Sequence, residues 1–314
     1  MKKILLATTM LAGTAGFAAA EVAVSGYAEI GIWSNADGAV QFWHDMDATF
    51  TMTGTTDGGL EFGAKIDLDE AGNLGGAGDH DTGGDVWVSG AFGKLTMGDT
   101  DGAVDWALAD MDGGMTSIAD DHSTHAAWFG GSAFDGAGDN QVVRYENTFG
   151  DVGFAISAEQ LNNGADAGEL GDLGNPNETV FGIGVKYTAD LGGTAVALGL
   201  GYQDADSLGS VVGVSAGATM AGGFGGKIGY LDYSDNAIDK HLGLEVSYAS
   251  GPIGVAVNYG KVDLTAGGDY DSWGAVANYD LGGGAKVMFG YGSDVDGATA
   301  GDQDQWSLGL GLSF

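Results

Sequence analysis

Trp306-Ser-Leu-Gly-Leu-Gly-Leu-Ser-Phe314 closes the chain with a strict period of two. Trp306, Leu308, Leu310, Leu312 and Phe314 share one face; Ser307, Gly309, Gly311 and Ser313 share the other. Successive side chains of an extended chain point to opposite sides, so this is a strand with one apolar and one small or polar face. A single such strand would also suit a soluble sandwich. Its recurrence decides the fold.

Alternating segments recur near 22–33, 43–54, 60–69, 84–91, 94–99, 140–149, 152–160, 178–189, 194–203, 209–221, 223–233, 238–249, 253–263, 269–280, 284–293 and 304–314. That is sixteen, an even number, most of them near the ~9–11 residues that carry a tilted strand across a bilayer. The connections alternate too. Short Gly-containing turns such as Phe92-Gly93, Gly150-Asp151, Ala221-Gly222-Gly223 and Gly251-Pro252 follow the even-numbered strands. Longer, mostly acidic connections follow the odd-numbered ones, near 34–42, 70–83, 99–139, 161–177, 204–208, 234–237, 264–268 and 294–303. Short turns at one rim and long loops at the other are the habit of an outer-membrane barrel.

Aromatic residues repeat this two-rim order on the apolar faces. Phe149, Tyr187, Phe224, Tyr248, Tyr279 and Phe314 fall beside short turns; Tyr202, Tyr230, Tyr259, Trp273, Tyr291 and Trp306 fall beside long loops. Two such girdles suit the two membrane–water interfaces. Lipid offers no hydrogen bonds, so strands can span it only when every edge is paired. The prediction is an all-β fold, a 16-stranded antiparallel transmembrane β-barrel over residues 21–314, wide enough for a watery lumen.

Residues 1–20 read as a secretory signal, with Lys2 and Lys3, a short apolar core from Ile4 to Leu11, and Ala18-Ala19-Ala20 before the cut. That core is too short to anchor a helix in a bilayer. The chain carries 10 basic and 44 acidic residues, a net charge of −34, and loss of the leader makes it −36. There is no cysteine, so neither disulfides nor thiol chemistry enters. Glycine reaches 61 of 314, yet 31 aromatic residues argue against a disordered acidic chain.

The long connection Asp99–Asp139 stands apart. It holds nine aspartates, among them Asp99, Asp101, Asp105, Asp110, Asp112, Asp120 and Asp121, and no lysine or arginine. It also holds Trp106, Leu108, Met111, Ile118, Trp128 and Phe129, which water would not favour. Loops of this length inside a compact domain are usually functional. The expectation is that it folds into the lumen and narrows it.

Glu21-Val-Ala-Val-Ser-Gly, Phe50-Thr-Met-Thr-Gly-Thr-Thr-Asp-Gly-Gly-Leu-Glu-Phe-Gly-Ala64, Val88-Ser-Gly-Ala-Phe-Gly-Lys-Leu-Thr-Met-Gly-Asp99, Tyr279-Asp-Leu-Gly-Gly-Gly-Ala285 and the terminal Phe314 carry a family likeness. The chain resembles the sixteen-stranded Gram-negative porins, particularly those of the Rhodobacter-type alphaproteobacteria. The resemblance implies an outer-membrane homotrimer that passes small hydrophilic solutes by diffusion. It implies a third long loop folded inward, with acidic residues facing basic groups on the wall. It also implies handling of the Phe314 strand by the barrel-assembly machinery.

Parity assigns the lumen face independently of that likeness. Lys65, Lys94, Arg144, Lys186, Lys227 and Lys286 lie on it, with the acids Glu29, Glu61, Asp67, Glu146 and Glu159. Charge on the lipid face would cost ~2–4 kcal/mol near mid-bilayer, which alone favours inward placement. By height, Lys65 and Arg144 are the expected partners of the loop, while Lys94, Lys186, Lys227 and Lys286 belong to the vestibule beside the short turns. So few basic groups against so many aspartates predict a cation-selective pore.

Other readings of the same residues are narrower. Asp110, Asp112, Asp120 and Asp121 could offer calcium its oxygen ligands, although no complete ligand loop is present. His122 and His125 beside Asp121 and Ser123 lack a nucleophile motif and a third metal ligand, so no enzyme is expected. The charge is wrong for nucleic acid. A substrate-selective channel and a secreted soluble acidic β protein stand as alternatives to a general diffusion pore.

Overall fold

A computed structural model describes residues 21–34, 38–70, 83–121, 123–135, 142–160, 179–293 and 304–314. The leader at 1–20 lies outside them. The strands are β1 (Glu21–Ser34), β2 (Val40–Thr55), β3 (Glu61–Glu70), β4 (Gly84–Gly90), β5 (Gly93–Gly98), β6 (Val142–Phe149), β7 (Val152–Gln160) and β8 (Thr179–Asp190). They continue as β9 (Thr194–Ala205), β10 (Gly209–Met220), β11 (Phe224–Ser234), β12 (Ile238–Ser250), β13 (Ile253–Leu264), β14 (Asp269–Gly282), β15 (Ala285–Gly292) and β16 (Gln305–Ser313). Each pairs antiparallel with its neighbours in sequence, and β1 pairs with β16 to close the barrel. Gly26 and Phe314 exchange backbone hydrogen bonds at that seam, so the terminal Phe sits in the closing ladder rather than beyond it.

The period of two decides which face meets lipid. Leu198, Leu200, Val212, Val214, Val255, Val257 and Leu308 stand exposed on the outside, as residues meant for hydrocarbon should. Their neighbours one position away point inward. The girdle aromatics pair across strands: Phe224 lies 4.6 Å from Tyr248 at the short-turn rim, and Trp273 lies 4.8 Å from Tyr291 at the other. Tyr202 and Tyr230 donate their hydroxyls to Asp204 and Asp232, which keeps the polar tip in water above the apolar ring. Tight turns use glycine where the backbone turns left-handed, as at Gly223 (φ 85°) and Gly251 (φ 58°).

The first long connection is shorter than expected. The sequence suggests 34–42, whereas β2 begins at Val40 and its residues 40–43 pair with Ser34–Gly31. Val40 and Phe42 point out and Trp43 points in, so the alternation extends past the residue where the clearest apolar run begins. β4 and β5 have seven and six residues, the shortest walls of the barrel.

Inside, two short helices, α1 (Ala103–Ala107) and α2 (Ile118–Asp121), belong to the connection between β5 and β6. Most of the large buried side chains, including Val104, Met111, Ile118 and Phe129, come from this connection or from the wall it touches. The barrel's core is therefore its inward loop.

Replacing Leu200 on the outer face by lysine should destabilise the folded barrel in lipid by about 2–4 kcal/mol. Ser215→Lys would instead report on the loop, since that residue faces the lumen. Urea titration of the barrel refolded into vesicles measures the difference.

Candidate functional site

The connection after β5 runs along the inner wall and returns above itself. On the outward path α1 lies against β7, β8 and β9, and α2 reaches β15, β16, β1 and β2. Wall side chains accept hydrogen bonds from its backbone at each stage. Ala103 N–H donates to Ser157 Oγ (2.8 Å), Ala109 N–H to Ser215 Oγ (3.0 Å), Gly113 N–H to Glu245 Oε2 (2.7 Å) and Ala119 N–H to Glu29 Oε2 (2.9 Å). On the return, Ala127 N–H donates to Ser272 Oγ (2.8 Å) and Phe134 N–H to Gln203 Oε1 (2.9 Å). Asp135 Oδ2 accepts from Gly102 N–H (2.8 Å), tying the end of the loop to its beginning. Irregular backbone carries donors that no ladder satisfies, so a loop held inside a barrel must find them partners on the wall.

The wall makes room by omitting side chains. Inward-facing glycines occupy β8 to β16 and β1 in succession: Gly184, Gly199, Gly213, Gly229, Gly243, Gly260, Gly274, Gly290, Gly309 and Gly31. A methyl group at any of them would overlap the loop. At Gly184, Gly199, Gly260 and Gly274 the obstacle is loop backbone, from Ala103, Ala107, Ala127 and Ser123 respectively. Elsewhere it is Leu108, Phe129, Ser117 or Ile118. Backbone cannot swing aside as a side chain can, so these glycines form a track that only this loop path fits.

Apolar groups fill the remaining gaps. Val104, Leu108, Met111, Phe129 and Phe134 bury with Val180, Val211, Leu231 and Tyr233 of the wall. Ile118 and Ala119 bury beside Met288, flanked by Trp33 and Trp43. Ala119 holds a left-handed backbone (φ 60°), unusual for a residue with a side chain. Glu29 secures it, accepting from Ala119 N–H, Tyr27 Oη and Trp43 Nε1 together.

The basic residues sort differently from the expectation drawn by height. Arg144 does meet the loop: its guanidinium bonds the Asp101 carbonyl and lies 3.7 Å from the Asp101 carboxylate, with Glu146 at 2.8 Å on its other side. Lys65 has no such contact among the described residues; it pairs with its own strand neighbour Asp67 at 3.0 Å. Two residues placed in the vestibule reach the loop instead. Lys227 Nζ contacts Asp112 at 2.6 Å, Glu245 at 3.2 Å and the Asp110 carbonyl at 2.7 Å. Lys186 Nζ donates to the Trp106 carbonyl at 3.2 Å and sits 3.6 Å above the Trp106 ring. Height misled because the loop dips to the short-turn end, where Met115 packs against Gly254. Lys94 stays near the turns over Trp87, and Glu61 accepts from Ser89.

Loop carboxylates pack under the loop as well as beside the pore. Asp101, Asp105 and Asp135 bring ligand oxygens within 4.8 Å of one another. Burial pushes Asp105 up to about 8, helped by the charges of Asp110, Asp135 and Asp101, and its proton bridges to Asp135. Burial, then the charge of Asp112, raises Asp110 to about 6. Of the suggested calcium set, Asp112 is held by the Lys227 ammonium group, and the side chains of Asp120 and Asp121 lie outside the described residues. His125 is buried, bonded to Ser272 and Asn258, and pushed down to about 4 by burial, so it is a neutral strut. His122 lies outside the described residues. Asp99 is exposed at the root of the loop.

Beside the seated loop, an open cavity of about 480 Å³ is lined by Glu29, Asp45, Asp47 and Asp67, by Lys286, and by Thr116 and Ser117 of the loop. Asp45 and Asp47 escaped the sequence reading although they share a face with Trp43; the parity rule would have placed them inward. The glycine track had a signal too: a Gly at mid-height on the lumen face of strand after strand.

Residues 7–299 match the family described as Gram-negative porin. A porin of Rhodobacter capsulatus is 30% identical over 296 residues, which cover 86% of this chain and 93% of that protein. A porin structure refined at 1.8 Å resolution is similar at 26% identity with a TM-score of 0.67, covering 94% of this chain and all of that one. A mutant Rh. blastica porin, 18% identical, shares the fold with a TM-score of 0.71 over 93% of this chain and all of its own.

Gly260→Val should lift the loop from the wall at Ala127 and make single-channel currents larger and noisier. Gly217→Ala, whose single added methyl meets nothing nearer than Lys227 Cγ at 3.4 Å, should leave them unchanged. The Asp105 pKa sets a second expectation. A carboxyl raised from 3.8 to about 8 favours the folded state when protonated, so the loop's seat is firmest at low pH and loosens as pH climbs to and through about 8. Open-channel noise recorded from pH 6 to 9.5 should rise in the wild type and stay flat in Asp105→Asn.

Proposed function

Because this chain belongs to the Gram-negative porins and its place is the outer membrane, where it forms a porin-type channel, we propose that it is a general diffusion pore with a preference for cations. The observation that carries the reading is the asymmetry of the lumen. The loop touches the arc from β6 round to β2, and the inner faces of β3 to β5, with Lys65, Asp67, Asp85 and Lys94, are the part of the wall its helices do not touch. Solutes pass beside the loop, not through a dedicated pocket.

A substrate-selective channel is less well supported. It would need aromatic faces or a charged ladder presented to solute. Trp106 is capped by Lys186, Trp128 donates its indole to the Met111 carbonyl, and Trp33 packs edge-on against Trp43 at 6.2 Å. These rings hold the loop. A passive pore needs no catalytic group, and none is assigned.

Cation preference rests on the excess of fixed negative charge. The chain carries 44 acidic against 10 basic residues, and three positive groups of the lumen have carboxylates beside them: Asp67 at Lys65, Glu146 and Asp101 at Arg144, Asp112 and Glu245 at Lys227. In a narrow passage with low-dielectric walls such charge concentrates counter-ions. Salt weakens the effect as screening shortens its reach.

The assembly proposed is a homotrimer. Besides the family likeness, β4 and β5 are shorter than the ~9–11 residues a lone wall needs to span lipid, and a neighbouring subunit covering them removes that mismatch. Export by a cleaved leader and insertion through the barrel-assembly machinery, with Phe314 in the closing strand, complete the proposal.

In planar bilayers the refolded protein should give ohmic channels whose reversal potential in a KCl gradient favours potassium. Candidate sugars and amino acids should not block the current, and a saturable block by one solute class would favour the selective alternative. Light scattering of the detergent-solubilised protein should return three chains per particle.

A further inference from the structure

The barrel closes where its first and last strands meet, and the register of that seam is weakly specified by the strands themselves. Every other pairing joins neighbours in sequence, whose connection limits how far one can slide past the other. β1 and β16 have no such connection. Along β16 the inner face reads Ser307, Gly309, Gly311, Ser313, and the outer face Leu308, Leu310, Leu312. A slide of two residues against β1 therefore keeps the leucines in lipid and the small residues in the lumen. Gly-rich strands hold register poorly, so a contact outside the ladder has to fix it.

The inward loop supplies that contact. α2 lies across the seam, touching β1 and β2 on one side and β15 and β16 on the other. Gly31 of β1 and Gly309 of β16 stand directly opposite one another. Cδ1 of the fully buried Ile118 fills the notch between them, in the space a Cβ on either glycine would need. Flanking contacts tie α2 to both sides. Ala119 N–H donates to Glu29 Oε2 of β1 at 2.9 Å, Ser117 lies against Gly290 of β15, and Ile118 and Ala119 bury with Met288. A slide of two residues one way sets Ser307 opposite Gly31, where its side chain would collide with Ile118. A slide the other way sets Ser313 in the place of Gly311, where the Tyr27 hydroxyl leaves no room for a Cβ. The observed register avoids both collisions.

We propose that α2 has a second function, separate from narrowing the pore: with Ile118 seated between Gly31 and Gly309, it is an internal latch that sets the register of the β1–β16 seam and holds it shut. A side chain lodged in a notch made by two strands must leave before either strand can slide, so opening the seam requires unseating α2. The rest of the loop is hydrogen-bonded to β7, β9, β10, β12 and β14, which gives residue 118 a fixed position independent of the seam. The latch thus refers the last pairing of the barrel to the strands in its middle. This function does not depend on which ions the pore prefers.

Native-state hydrogen exchange of the refolded barrel, read by mass spectrometry, tests the latch on three variants. Ile118→Val removes the Cδ1 methyl alone, and Ile118→Ala empties the notch. Met111→Ala removes an equally buried loop side chain seated on Gly229 and Gly243 of β11 and β12. Exchange of the seam amides at 28–33 and 307–312 should rise roughly threefold or more in Ile118→Val and roughly tenfold or more in Ile118→Ala, with the β11–β12 ladder unchanged. Met111→Ala should do the reverse, and Ile118→Val carries the contrast by itself where Ile118→Ala fails to close. Cysteine pairs on the outer face read the register. Ile32→Cys/Leu308→Cys stands directly opposite in the latched barrel and should crosslink, whereas Ile32→Cys/Leu310→Cys meets only after a slide of two and should crosslink better once Ile118→Ala is added. Exchange that rises equally around the barrel, a seam that neither Ile118 variant moves, or a slipped pair indifferent to Ile118→Ala overturns the proposal.

Discussion

A loop laid inside a barrel must satisfy its own backbone, and that requirement shapes the rest of the lumen. A strand's amides find partners along its neighbours, whereas the segment 99–135 has almost no ladder to join. Ser157, Gln203, Ser215, Glu245, Ser272 and Glu29 answer its amide groups from six different strands. Close approach is possible only because the wall presents glycine wherever the loop backbone passes. The seat and the hydrogen bonds depend on one another: a side chain on the track would lift the loop beyond the reach of those acceptors.

This arrangement has an electrostatic consequence. A loop so rich in aspartate cannot be pressed against a wall with every carboxylate charged. The protein resolves the conflict locally, with a proton shared between Asp105 and Asp135, with Lys227 against Asp112, and with Arg144 against Asp101. Several of the basic groups on the lumen face are thus occupied in holding the loop.

The barrel was legible because its rule is local and repeated. Alternation of the kind seen from Trp306 to Phe314 needs no knowledge of distant residues, and sixteen repeats with two kinds of connection leave few architectures open. The lumen was less legible for a physical reason. Parity tells which face Lys65 or Lys227 occupies, but the depth to which a loop descends depends on what the wall omits. Lys227 meets the loop because the chain dips to Met115 beside Gly254, a fact that neither residue announces alone. Asp45 and Asp47 obey the parity rule, but no charge partner in the sequence marks them out from other inward-facing residues of β2. The lumen-face glycines read as mere weak strand formers until the loop is seen lying on them.

Ala103 and Gly182 offer the most direct measurement of whether the loop stays on its track. A Cβ placed on Gly182 would stand 3.4 Å from that of Ala103, near the separation a disulfide needs, and 2.5 Å from Ser157 Oγ, so Gly182→Cys alone serves as the control for any shift of that hydroxyl; the chain has no cysteine to compete. The double variant Ala103→Cys/Gly182→Cys should crosslink on mild oxidation, and its single-channel conductance should be the same before and after reduction. A crosslink that fails to form, or a conductance that rises when the bond is reduced, would show a loop that leaves the wall when free to do so.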